Sequence, residues 1–457
     1  GGQEEAREEE VPPLAVKGTA LLLIAFAGAC SSAPKPAAVA PAEIPALVAQ
    51  TEREPRNAAL KFRLAATLAA AGRCDSAVVV ARAAQSLEAD NVRGPLVVGA
   101  CQEQAGRYDE AIATYQDFAA QHPRARGVAA LRARAELALR TSAEQTARQA
   151  LARETELAQQ PPQAATVAVL PVLVSGDSTY RPLSRGLAEL ITTDLAYIRT
   201  LKLLERLQIG VLLDELKLGT SQRAAPATAA RVGRLLRAER MVQGTVTIPS
   251  TGAGSVRLTA SVVTGAGVIW PVAPATGPLP QLLGLEKQVV FGLAAQLGIA
   301  LTEAERQRIL KEGPRNLAAF LAYSRGLEAM DAGDYSRAAF HFGEAARVDP
   351  SFRAASQQRQ AAQTAPALER AGADPVGSLS AVDALEHGTA TVLSATGGVL
   401  SSGTLDVLPT PGDVVAQAGG TASGTATTIR HLGPETAGLP SIISVTNGIT
   451  IIFKRPP

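Results

Sequence analysis

Apolar residues recur at different periods in successive stretches of this chain. Lys17 is followed by twelve charge-free residues, Gly18 to Ala29, that end at Cys30. Residues 55–160 carry apolar and small residues at helical spacing. In 163–311, strand-like and helix-like runs take turns. Residues 166–174 form a short apolar run, expected as a buried strand. Leu183, Leu187, Leu190, Ile191, Leu195 and Ile198 then fall on one helical face. Residues 201–205 predict a second strand. Two helices follow, one carrying Leu212, Leu213 and Leu216, the other spanning 229–236. Residues 241–248 and 256–263 alternate as half-buried antiparallel strands do. Gly265 to Gly267 turn the chain toward Val268, Ile269 and Trp270. A last helix presents Leu285, Val289, Leu293 and Leu297. Helical spacing returns at 314–363. From 364 to 457 the pattern fades, and residues 371–440 hold too few large apolar side chains for a core, which predicts disorder or loosely paired strands. Ile442 to Phe453, interrupted by Asn447-Gly448, predicts a terminal hairpin over 441–454. The expected fold class is α/β plus α-solenoid: a mixed-sheet domain flanked by helical repeats.

The helical stretches repeat internally. Gly72-Arg73-Cys74-Asp75-Ser76-Ala77 recurs as Gly106-Arg107-Tyr108-Asp109-Glu110-Ala111, a spacing of 34 residues. Gly99 and Ala111 are small enough for two helices to approach, Tyr108 and Tyr115 fill the space between them, and Pro123 stops the second helix. A further copy carries Gly326, Ala332-Gly333-Asp334-Tyr335, Ala338, Phe342 and Asp349-Pro350. These units resemble the tetratricopeptide repeat. Residues 124–157 read as a degenerate third unit or a capping helix pair. Stacked repeats expose a groove, which serves either to bind envelope or secreted proteins or only as a packing surface.

The N-terminal run is too short to span a membrane, which takes about 20 residues. It fits the core of a secretory signal. Ala27-Gly28-Ala29-Cys30 resembles a bacterial lipobox, with Cys30 the lipidated residue and the membrane its partner; Ala27 and Ala29 also fit an ordinary signal-peptidase site. Residues 1–15 hold five Glu and have the wrong charge for a signal, so translation is expected to start at Val16. Residues 31–54 read as an Ala/Pro-rich tether. Cys74 and Cys101 fall on adjacent predicted helices, where they either form a disulfide in an oxidising compartment or stay as buried thiols.

Composition narrows the chemistry. The net charge is +2, with 44 basic and 42 acidic residues, which excludes a strongly basic nucleic-acid binder. Aromatics are only 4%, too few for stacking platforms. His122, His341, His387 and His431 are far apart, and no Cys or His pair has metal-ligand spacing. Gly176-Asp177 lacks the rest of a phosphate loop. No nucleophile setting is recognisable. The expectation is therefore a protein without catalysis, metal or cofactor. Glu205-Arg206 reads as a strand-end cap or surface pair rather than a buried functional ion pair.

Six segments occur in one order: Val167-Ala-Val-Leu-Pro171, Gly186-Leu187 with Leu190-Ile191, Leu204-Glu205-Arg206, Leu212-Leu213-Asp214-Glu215-Leu216, Gly233-Arg-Leu-Leu236 and Val242-Gln-Gly-Thr245. Together they resemble the curli-secretion lipoprotein family (CsgG-like, with holdfast-anchor relatives). The related TolB-amino-terminal-like domain shares the opening pattern. The resemblance spans about 140 of the 457 residues. It implies a lipid-anchored protein on the periplasmic side of the outer membrane that assembles or exports a surface polymer. It also implies a pore alternative, since the best-known family member forms a ring that inserts two amphipathic hairpins per subunit. Such hairpins need strands of about 9–11 residues. Between Arg240 and Pro271 there is room for the domain's own strands and little else, and Arg257 is a poor residue to face lipid. A periplasmic scaffold, with or without a homo-oligomeric ring, is the leading expectation.

Overall fold

The computed structural model describes residues 43–218, 225–249 and 255–386, together with the backbone of 445–446 and 449–450. The chain begins in helices. α1 (Glu43–Arg53) buries Ile44, Leu47 and Thr51 on one face. The expected tether at 31–54 is therefore helical from Glu43 onward. Ile44 and Leu47 join a core with Leu64, Ala65 and Leu68 of α2 (Ala58–Ala70), and that burial holds a helix the local composition does not announce.

Two helical hairpins follow: α2 with α3 (Cys74–Gln85), and α4 (Arg93–Gln104) with α5 (Tyr108–Gln121). The first turns at Gly72 and the second at Gly106, both with positive φ. In each, the N–H after the glycine reaches back to a carbonyl of the last helical turn, Arg73 to Leu68 and Arg107 to Gln102, both at 2.8 Å. Left-handed glycine closure satisfies carbonyls a helix end would leave open. Residues 124–157 are not a helix pair. They form one 25-residue helix, α6 (Val128–Ala152), and a single extra turn, α7 (Glu154–Leu157). Ala-rich sequence without an internal breaker propagates one helix.

The mixed sheet comes next. β1 (Gln163–Val169) and β2 (Leu173–Gly176) are one strand path broken around Pro171, which has no N–H to give. Both run parallel to successive halves of β4 (Ala238–Ile248). β3 (Lys202–Leu203) lies outside β1, and β5 (Val256–Thr264) pairs antiparallel with β4. β6 (Ile269–Pro271) and β7 (Ala275–Gly277) pair with the two ends of β5. Four helices cover the sheet: α8 (Leu183–Leu195), α9 (Arg206–Glu215), α10 (Pro226–Leu236) and α11 (Leu282–Gln296). Alternate strand residues go to opposite cores, as the two-residue period requires. Val167, Val169, Val242 and Val262 pack with Leu187, Ile191, Val289 and Leu293 of α8 and α11. Ala168, Leu170, Met241 and Val263 pack with Ile209, Leu213, Val232 and Leu235 of α9 and α10.

After α12 (Glu303–Lys311) come α13 (Leu317–Asp331) and α14 (Tyr335–Val348), a third hairpin that turns at Gly333. Its closure repeats the others, with Asp334 N–H on the Ala329 carbonyl at 2.9 Å. α15 (Arg353–Ala371) lies against α6. The helices on either side of the sheet domain in sequence thus meet in space and form one layer. α16 (Pro375–Glu386) corrects the expectation for 364–386. Residues 364–371 complete α15 and 375–386 form α16, with Pro375, Ser378, Leu379 and Val382 buried. Docking on α2 and α4 supplies the burial that a 12-residue helix lacks alone. Val445–Thr446 (β8) and Ile449–Thr450 (β9) pair antiparallel as a separate two-stranded sheet. The rest of 387–457, the remainder of the expected hairpin included, lies outside the described residues.

Candidate functional site

The densest polar cluster joins the sheet domain to the helical layer. β3 ends at Leu203, and α9 starts at Arg206, which points its side chain into the junction. Arg206 forks onto Asp331 at the end of α13, at 2.6 and 2.9 Å, and its Nε bonds Glu189 of α8 at 3.0 Å. Arg185 of α8 holds the same Asp331 at 2.7 Å. Arg140 of α6 donates to the Met330 and Asp331 carbonyls. A cation there complements the negative end of the α13 dipole.

The expected reading of Glu205-Arg206 as a strand-end cap or surface pair is thus overturned. Arg206 is largely shielded, its side chain 11% exposed, and is paired across 125 residues of sequence. Burial opposes the charge of Asp331, but Arg206, with Arg185 and Arg140, more than reverses this and holds its carboxyl below the usual range. Glu205 behaves oppositely. Burial, then the nearby Glu136 and Glu189 charges, push it well above the usual range. Burial raises Glu136 as well, with Arg206 partly opposing. Tyr335 is pushed up to about 12, chiefly by burial. Glu136, Arg140, Asp331 and Tyr335 line a cavity of about 10 Å³, room for one water. Three guanidinium groups in fixed pairs make a lock between four helices. They offer no nucleophile beside a base.

A second buried cluster lies between α8 and α11. Lys287 Nζ reaches Asp194 at 2.5 Å and Glu286 at 3.4 Å. Two acids share one base, and burial raises both carboxyls, Asp194 well above its ordinary value. A third set lies within the helical layer. Glu103 of α4 accepts from Tyr115 Oη at 2.7 Å and from Arg134 of α6 at 2.8 and 2.5 Å.

Of the residues singled out in the sequence, Cys30 lies outside the described residues. Cys74 and Cys101 are bonded as a disulfide that ties α3 to α4, with Cα atoms 5.5 Å apart. Asp177 accepts from the Thr179 N–H at 2.9 Å and closes a surface turn. His122 stacks on Phe118, and His341 bonds Glu344; His387 and His431 lie outside the described residues. Arg257 is exposed on β5, opposite Thr247 and Thr276. Sequence reasoning missed Asp331, Arg185 and Arg140. Their one local signal is the place of Asp331, two residues before the Gly333 turn.

Residues 148–256 match the CsgG family, described as curli production assembly/transport component. The match runs from the end of α6 to the first residue of β5, about a quarter of the chain. It contains Glu189, Arg185, Glu205 and Arg206, but not Asp331. No curated protein matches the chain.

Proposed function

We propose that this protein is a non-enzymatic assembly factor for a secreted surface fibre or polymer, anchored through Cys30 to the periplasmic face of the outer membrane. The CsgG match supports a role in curli-type assembly or transport. One observation favours a scaffold over a pore. A membrane hairpin needs two strands of about 9–11 residues with a face free for lipid. β4 and β5 have 11 and 9 residues, but each has strand partners on both edges, and helices pack on both faces where Met241 and Val263 lie. The other strands of the sheet have seven residues or fewer. The helical layer, locked to the sheet domain through Arg206, then serves as the platform on which exported proteins or a second envelope component dock.

The test has two readings. Full-length protein extracted in mild detergent is sized by light scattering and added to planar bilayers. The scaffold predicts no conductance steps at any oligomer size, and loss of surface fibres when the protein is removed from its cell. Stable conductance from a purified ring overturns the scaffold in favour of a pore. Unchanged fibres in the deletion strain overturn the assembly role. Cys30→Ala should move the protein from the membrane to the soluble fraction; unchanged fractionation removes the lipid anchor from the proposal.

A further inference from the structure

The groove that the N-terminal helical hairpins would offer to a partner is already filled by the chain itself. α16 lies across α2 and α4, with Leu379 in the core built by Leu64, Leu68 and Val97, and Val382 fully buried beside Val92 and Leu96. Its acidic end is gripped by cations. Arg93 of α4 bonds Asp383 and, at 2.8 Å, Glu386. Arg126, in the turn before α6, donates to the Glu386 carbonyl at 2.8 Å. At the other end Gln104 donates to the Ala373 carbonyl at 3.3 Å. The floor is shaped for this helix. Gly127 has φ +77°, and a Cβ there would stand 3.2 Å from the Glu386 carboxylate and 3.3 Å from Val382.

Several features mark α16 as a ligand rather than a layer of the fold. It has 12 residues, about three turns, too short to be stable as an isolated helix. Pro375, Ser378, Leu379 and Val382 are its buried residues. It joins α15, against which it also packs, through a break at Gly372, whose φ of +60° and ψ of −143° suit glycine. The disulfide between Cys74 and Cys101 ties α4, one wall of the groove, to α3.

We infer that α16 is an intramolecular latch: it occupies a helix-binding groove whose external ligand is a partner's short amphipathic helix. The partner helix presents apolar residues at i, i+3 or i+4, and i+7, with one or two carboxylates in its last turn. Arg93 reads the carboxylates, Arg126 reads a main-chain carbonyl at the end of the helix, and the Leu64–Leu68–Val97 surface reads the apolar stripe. The inference deepens the reading of the helical layer as a docking platform and rests on it. Tethering gives α16 a high effective concentration, so a partner binds only when it out-competes the latch or when α16 is drawn away.

The probe is a fluorescein-labelled peptide of residues 374–386, titrated by anisotropy into the full-length chain. In the Leu379→Asp/Val382→Asp variant the groove is empty. The peptide should bind the variant at least tenfold more tightly than the parent, and a peptide with Asp383 and Glu386 replaced by Lys should bind the variant at least fivefold more weakly. A chain ending at Gly372 provides a second empty groove. Equal or absent binding in parent and both variants overturns the latch. So does loss of folding, by circular dichroism, in both variants, because α16 is then a structural layer. Neither readout involves fibre assembly, so failure here is distinguishable from failure of the assembly role.

Discussion

The α4–α5 and α13–α14 hairpins share one local construction and are wired into the molecule differently. Each turns at a left-handed glycine, Gly106 or Gly333. Each has a glycine notch under an aromatic ring. A Cβ on Gly99 would lie 2.2 Å from the Tyr115 ring, and one on Gly326 would lie 2.5 Å from Phe342. The outward ties differ. α4–α5 stays within the helical layer, held by the disulfide and by Glu103, Tyr115 and Arg134. α13–α14 carries Asp331 at the end of its first helix and is clamped to α8 and α9 by Arg185 and Arg206. Turn and notch residues thus specify the hairpin, while one or two charges beside the turn choose its neighbour.

The largest effect should come from cutting the clamp. Arg206→Ala leaves Asp331, largely shielded, and Glu189, partly exposed, with one fewer cation, and breaking a buried pair costs about 3–5 kcal/mol. Urea unfolding should show that loss, with the sheet domain and helical layer unfolding in separate steps. A loss under about 1 kcal/mol would mean the clamp is incidental to how the hairpin docks. Next in size is reduction of the Cys74–Cys101 bond. It closes a 27-residue separation, and chain entropy gives about 3.5 kcal/mol for such a loop. Reduction should lower the Tm of the α2–α5 region and leave that of the sheet domain unchanged. A uniform shift would show that the two regions unfold as one. The notches sharpen the parallel: Gly99→Ala and Gly326→Ala should each cost about 1–3 kcal/mol, since the ring above must move. Unequal costs, with one near zero, would break the claim of shared construction.

What the sequence revealed and what it hid follow the same division. The hairpins were legible because turn glycine, notch and ring lie within one repeat. The alternation of β4 and β5 was legible because the sheet period is local. The break at Pro171 split one expected strand in two, and β7 was missed because three residues carry no pattern. α1 was hidden by its Ala/Pro-rich surroundings although it packs on the next helix, and α16 because it is stabilised by a surface far away in sequence. α16 has only Val376, Leu379, Val382 and Leu385 as large apolar residues, and composition alone reads that as a tail. The clamp was hidden because charge pairs across 125 residues leave no spacing to find; Arg206 was visible only as half of an expected local pair with Glu205.

The smallest effect contrasts the two buried acid clusters through pH. Unfolded carboxyls titrate near pH 4. In the folded chain, burial, and then the Glu286 charge, hold Asp194 well above that range. Between the two ranges the native state keeps a proton that the unfolded chain has released. The unfolding free energy therefore falls as pH rises through the window. The charges acting on Asp194 are Glu286 and Lys287 of α11. α13, packed on the other side of α8, directs Glu328 and Asp331 to Arg185 instead. Asp331 has the opposite sign: its carboxyl is held low, so its contribution is present above pH 4 and is lost as pH falls through its folded pKa. Asp194→Asn should flatten the loss of stability seen as pH rises above the unfolded carboxyl range. Glu136 and Glu205 keep the remaining slope, since both are also raised. Urea midpoints above that range decide it. Parallel curves for parent and variant would mean that Lys287 neutralises Asp194 fully and that no proton is held between α8 and α11.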